Sequence, residues 1–158
     1  MHDLLAKQNS SYSALEWLEV SADDVSLDYI ARDLAKKLRS VVLPVSSDQR
    51  SRYVLRVSYH GITLQDVSRP KTKPFLLEMK ELNRRSIGRD LLAKSVGRHC
   101  RTVVDATAGF GRDAFHLYFL GKSVTAIERS PVVSVMLDDA IKRLTTPSPN
   151  ILLKITLI

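Results

Sequence analysis

The chain has 158 residues, 44% of them apolar and 26% charged, with a formal net charge of +7, the balance of a globular protein that buries a core in one ordinary domain or two small ones. No apolar run approaches the ~18 residues of a membrane span, the amino terminus with His2, Asp3 and Lys7 lacks a signal-peptide layout, and the single Cys100 excludes an internal disulfide and a cysteine-based zinc cluster. A cytoplasmic protein with neither membrane nor metal among its partners is the expectation.

Residues before about Val25 are polar and weakly periodic, with Leu15, Trp17, Leu18 and Val20 offering one short ordered piece. A helix is signalled from Ser26, which can cap it, by Leu27, Ile30, Ala31, Leu34 and Leu38 at helical spacing. Val41 to Val45, interrupted by Pro44, reads as a short strand, and Ser46 to Ser51 as a polar turn. Alternation through Tyr53, Leu55 and Val57, a His60-Gly61 turn and Ile62 to Asp66 predict a hairpin. The stretch Arg69-Pro70 to Lys73-Pro74 forms a stiff, basic connector. Tyr53, Tyr59 and Phe75 read as packing residues of this small domain ahead of stacking partners for RNA bases.

Leu91, Leu92, Ala93 and Val96 predict a helix from Asp90, ended by Gly97. The organisation then changes. Thr102 to Ala106 is a strand, Ala114 to Leu120 a helix stopped by Gly121, Ser123 to Ile127 a second strand, and Ser130-Pro131 opens a helix with an apolar stripe from Val132 to Leu144. Leu153, Ile155 and Leu157 begin a third strand. This repeat implies a parallel sheet with right-handed crossovers. The expected division is a small α+β domain with a β-hairpin over 1–74, a basic connecting segment and helix over 75–101, and an α/β unit over 102–158.

Charge is concentrated. Between Arg69 and Arg101 ten Lys and Arg residues face only Glu78, Glu81 and Asp90, so this stretch alone holds an excess equal to that of the whole chain. Such a segment is either a polyanion-binding surface or a solvated helix face with a basic loop.

The chemistry lies in Val103-Val104-Asp105-Ala106-Thr107-Ala108-Gly109-Phe110-Gly111-Arg112-Asp113-Ala114 and in Val124-Thr125-Ala126-Ile127-Glu128-Arg129. Gly109 and Gly111 permit a tight turn and close approach of a ligand, and Glu128 ends the second strand where a doubly wound fold keeps the acid that accepts hydrogen bonds from a ribose diol. A nucleoside-containing cofactor is implied. Gly109-x-Gly111-x-x-Ala114 also satisfies the loose dinucleotide pattern. Ala106-Thr107-Ala108 separate Asp105 at the strand tip from the first glycine, however, and Asp105 and Asp113 repel pyrophosphate while suiting a sulfonium cofactor that carries an amino group. S-adenosylmethionine is therefore preferred to NAD. Asp113 reads equally well as an early helical acid that favours the helix dipole.

The strings Asp105-Ala-Thr-Ala-Gly-Phe-Gly-Arg-Asp-Ala-Phe, Glu128-Arg-Ser-Pro-Val-Val and Leu137-Asp-Asp resemble the bacterial ribosomal RNA small subunit methyltransferase J family. The likeness implies the N-terminal half of a Rossmann-like class I SAM-dependent methyltransferase domain, acting at N2 of a guanine in 16S rRNA of the small ribosomal subunit. It also implies cofactor contacts from Arg112, Asp113, Glu128 and Arg129, beside Asp105, Gly109 and Gly111. Where that family has His-Arg-Arg and a glycine-rich stretch, this chain reads Asn83-Arg84-Arg85-Ser86-Ile87-Gly88-Arg89. Positive charge for holding phosphates is retained there, and Lys71, Lys73, Arg84, Arg85 and Arg89 are the expected RNA contacts.

No Asp/Asn-Pro-Pro-aromatic or Asp-Pro-x-Phe motif follows; Pro147 and Pro149 belong to a loop too early in the fold. The catalytic residues are accordingly expected beyond Ile158, the chain alone is expected to bind cofactor without turnover, and the bare edge of its first sheet strand is expected to favour self-association. Two rival readings are a non-catalytic RNA-binding module and a fragment of an NAD(P)-binding oxidoreductase.

Overall fold

The computed structural model describes residues 15, 17–44, 51–69, 71–78 and 90–145, together with the strand 153–157. The chain divides into two compact units, Met1–Phe75 and Leu76–Ile158.

The first unit is built on β1 (Leu18–Ala22), α1 (Asp28–Leu38), β2 (Val41–Leu43), β3 (Tyr53–Ser58) and β4 (Gly61–Asp66), with β5 (Phe75–Leu76) next to β4. The sheet order is β2-β1-β3-β4-β5. β1 runs parallel to both β2 and β3, while β3 and β4 form the expected antiparallel hairpin around Tyr59-His60. α1 buries Ala31, Leu34, Ala35 and Leu38, and within the sheet Leu18, Val20, Val54 and Leu55 are fully buried. The ordered piece expected before Val25 is the strand β1, buried throughout, with Glu19 and Ser21 covered along with their apolar neighbours. One expectation needs correction. Ser26 does not cap the helix: the Asp24 side chain caps a 3-10 turn over Val25–Leu27, accepting from the Ser26 backbone N–H at 2.8 Å, and the α-helix starts at Asp28. Asp is the stronger acceptor, and the Ser26 hydroxyl itself donates to it at 2.6 Å. These bonds hold the Asp24 carboxyl below the usual carboxylate range.

The second unit contains α2 (Leu91–Val96), β6 (Thr102–Asp105), α3 (Arg112–Phe119), β7 (Ser123–Glu128), α4 (Pro131–Thr145) and β8 (Leu153–Leu157). Its strands are parallel in the order β6-β7-β8. Alternation on β7 turns Val124, Ala126 and Glu128 to the buried face, where Val124 and Ala126 join a core with Leu77, Ala114, Phe115, Leu117, Leu137 and Ala140. α3 starts two residues earlier than its apolar pattern suggests, because Gly111 adopts a left-handed conformation (φ +75°) and lets Arg112 and Asp113 occupy the first turn. At the other helix ends the expected Gly97 stop, at φ +84°, and Ser130 cap, accepting from the Val133 N–H at the start of α4, are present, while Asp90 stands just before α2 as its cap and not as its first helical residue. β6 lies at the edge of the strand order, with Val104 64% exposed.

Candidate functional site

The seven residues expected around a cofactor lie in the second unit, at the carboxyl ends of β6 and β7 or just beyond. Asp105 ends β6 and Glu128 ends β7. In register, Asp105 is paired with Ala126. Because paired residues project from one face of a sheet and side chains alternate along a strand, the two acids leave the same face of neighbouring strands. The segment from Ala106 to Gly111 crosses from β6 to α3 between them.

That segment is shaped by Glu128. Its Oε2 accepts the Gly109 backbone N–H at 2.8 Å, and its Oε1 accepts the Ser130 N–H at 2.7 Å. The Ala108 N–H adds a bond to the Ile127 carbonyl at 2.9 Å, and the Gly111 N–H one to the Ala108 carbonyl at 2.7 Å. One carboxylate, only 9% exposed, thus ties the glycine turn to the end of β7. A carboxylate offers about four acceptor positions, so two backbone donors leave capacity for two more. Asp105 Oδ1 accepts the Thr107 N–H at 3.2 Å within its own turn.

The two glycines differ in purpose. At Gly109, with φ +52°, a Cβ would meet nothing within 4 Å, so the backbone faces open space. At Gly111 a Cβ would lie 2.6 Å from Leu137 Cδ1 and 2.7 Å from Phe115 Cε2. Gly109 leaves open space, whereas Gly111 leaves room for the packing of α3 and α4. Arg112, Asp113 and Arg129 are all exposed at the rim of this region. An oriented carboxylate with unused acceptor capacity, a second carboxylate on the same face, and a backbone with open space above it form a donor and acceptor set that fits a nucleoside cofactor with a cationic end.

Of the residues expected to hold RNA, Lys71 and Lys73 are exposed in the first unit, while Arg84, Arg85 and Arg89 lie outside the described residues. Among the described residues no cluster of His, Cys, Asp or Glu could hold a metal ion, and no helix is long and apolar enough to cross a membrane.

Three supporting residues carry no sequence motif. Asp90 accepts the Ala93 N–H through Oδ1 at 2.9 Å and pairs through Oδ2 with Nε2 of the buried His116. This joins α2 to α3, whose first turn borders the glycine loop. Lys122 donates from Nζ to the carbonyls of Gly97, Arg98 and Cys100, at 3.3, 3.3 and 2.5 Å, holding the segment that enters β6. Polar residues at such spacings are indistinguishable in sequence from solvated ones. Asp90→Ala is expected to destabilise the protein by about 2 kcal/mol, since it removes a helix cap and strands a buried imidazole. Denaturant unfolding followed by circular dichroism reads this directly, and an unchanged midpoint would contradict it.

A family model described as "Putative SAM-dependent methyltransferase" matches residues 36–155. Among curated relatives, the chain is 35% identical over 156 residues to the ribosomal RNA small subunit methyltransferase J of Colwellia psychrerythraea, covering 90% of this chain and 56% of that protein. It is 33% identical over 144 residues to the same-named protein of Alteromonas mediterranea, covering 85% and 55%, and 31% identical over 140 residues to that of Pseudomonas aeruginosa, covering 83% and 52%. The chain spans about half the length of these relatives. Its fold is similar to the crystal structure of a SAM-dependent methyltransferase from Neisseria gonorrhoeae, with a TM-score of 0.68 and 28% identity over 88% of this chain and 59% of that one.

Proposed function

From a chain that belongs to the SAM-dependent methyltransferase family, matched along residues 36–155, we propose a protein that binds S-adenosylmethionine at the ends of β6 and β7 and serves methylation of small-subunit ribosomal RNA at N2 of a guanine. The observation that carries the cofactor half is the Glu128 carboxylate, oriented by Gly109 and Ser130 N–H groups beside an open backbone. When bound, the cofactor supplies a methyl group on a positively charged sulfur, an electrophile for a nitrogen lone pair. In this reading Glu128 accepts ribose hydroxyls, Asp105 compensates the cationic end, Gly109 lets the ligand lie on the backbone, and Arg112, Asp113 and Arg129 contact it from the rim. Gly111 acts indirectly, by keeping α3 seated.

The RNA half is supported by the shared name of the relatives and by the basic excess between Arg69 and Arg101. Lys71, Lys73, Arg84, Arg85 and Arg89 are proposed to hold phosphates, and no described residue is assigned to aiming the base. The family does not favour an NAD(P) oxidoreductase or a non-catalytic RNA-binding module. Calorimetric titration separates the three: S-adenosylhomocysteine is expected to bind and NAD not to. Binding of NAD alone, or of neither nucleotide, would overturn the cofactor assignment.

A further inference from the structure

The first unit is electrically polarised. β1 and β3 both begin, and β4 ends, at one end of its sheet, since Leu18 is in register with Tyr53 and Tyr53 with Asp66. α1 runs back to that end before β2, so Lys36, Lys37 and Arg39 lie there with Arg52 and Arg69. The basic connector with Lys71 and Lys73 also departs from this end, through a turn in which the Thr72 N–H and hydroxyl both donate to the Arg69 carbonyl. Asp23, Asp24 and Asp28 sit at the opposite end, where β1 passes into α1.

Aromatic surface is exposed at the basic end. Trp17, 48% exposed, meets Tyr53 edge to face with ring centroids 5.7 Å apart, and the Arg52 guanidinium lies 5.1 Å from the Tyr53 ring centre. Tyr53 is half-buried, and Tyr59 and Phe75 are exposed, so none of the three is a fully buried core residue as their sequence context suggests. Arg52 and Arg69 are both exposed and share one carboxylate, Asp66, at 3.1 and 3.8 Å. Two arginines on one acid leave positive charge uncompensated beside the indole.

We propose that Trp17, with Tyr53 behind it and Arg52, Arg69, Lys71 and Lys73 around it, is a stacking site for a base of single-stranded RNA, the cations holding the flanking phosphates. Single-strand recognition combines aromatic faces with basic tracks in this way, and each stacked base adds substantially to affinity. The proposal rests on the RNA-methylation reading for the class of partner, and adds a contact remote in sequence from the cofactor residues. An apolar protein partner would find this surface too heavily charged.

The test uses the full chain, in which Trp17 is the only tryptophan. Short oligouridylate is expected to quench its fluorescence saturably, while inorganic polyphosphate and duplex RNA of equal length leave emission nearly unchanged. Trp17→Ala is expected to weaken oligouridylate binding about tenfold, with Trp17→Phe weakening it less. Arg69→Gln is expected to lower the slope of log affinity against log salt by about 0.7. RNA binding without quenching, equal quenching by polyphosphate or duplex, or full affinity in a folded Trp17→Ala protein would overturn the proposal. The wild-type titration stands even if a variant misfolds. A parallel titration with S-adenosylhomocysteine keeps the two readings apart, since cofactor binding with unquenched Trp17 rejects only the stacking site.

Discussion

Glu128→Ala is expected to weaken S-adenosylhomocysteine binding by at least about 100-fold, because each hydrogen bond from a hydroxyl to a charged group contributes about 1.5–3 kcal/mol and a ribose presents two. The same change also removes the only side-chain acceptor shown for the N–H groups of Gly109 and Ser130. It therefore costs stability as well, about 2 kcal/mol once water has partly replaced the lost partner. Glu128→Gln separates size from chemistry. A glutamine has one carbonyl oxygen, and its amide NH2 would face one of those backbone N–H groups, donor against donor. It is expected to lose most of the affinity despite its similar volume. Calorimetry at a temperature where circular dichroism shows the variant folded reads binding separately from stability. Wild-type affinity in folded Glu128→Ala protein would remove Glu128 from the cofactor site.

Gly111→Ala is the counterpart in which folding suffers first. A methyl group would press within 2.6–2.7 Å of Leu137 and Phe115, both almost fully buried, at a φ of +75° that L-residues rarely adopt. Overpacking of a core and a left-handed backbone each cost about 1–2 kcal/mol, so a loss of about 3 kcal/mol is expected. Gly109→Ala meets no atom within 4 Å, and only the backbone cost applies. Comparing the two by thermal unfolding tests the division of labour between the glycines: similar losses of stability would refute it, whereas a stable Gly109→Ala protein with impaired cofactor binding would support it.

The strand and helix repeat of the second unit is legible in the sequence because each element there has one dominant signal. Thr102-Val103-Val104 is β-branched, β7 alternates, α4 has an apolar stripe behind Ser130-Pro131, and glycine marks the turns. Of the acids at the strand ends, Glu128 is legible by the same logic, since it closes a strand whose alternate positions are buried, whereas Asp105 closes the more exposed β6. What escaped is whatever depends on a partner distant in sequence. Glu19 and Ser21 disguise β1, although the strand is wholly buried. Asp90 finds His116 across 26 positions, and Lys122 finds three carbonyls more than 20 positions away. The role of Gly111 depends on Leu137 in another helix. No local pattern encodes these pairings.

β1 is flanked by β2 and β3, and both pairings are parallel, so neither can be made through a tight turn. The hairpin of β3 and β4, by contrast, closes across the two residues Tyr59 and His60. As the chain leaves the ribosome, Leu18–Ala22 emerges first among the described strands yet waits for residues 53–57 before its inner edge can be covered. The inner edge of β1 thus keeps its backbone N–H and C=O groups unpaired with β3 for the time taken to translate some thirty-five further residues, at about 5–20 residues per second a matter of seconds, and the polar Glu19 and Ser21 limit its tendency to aggregate during that interval.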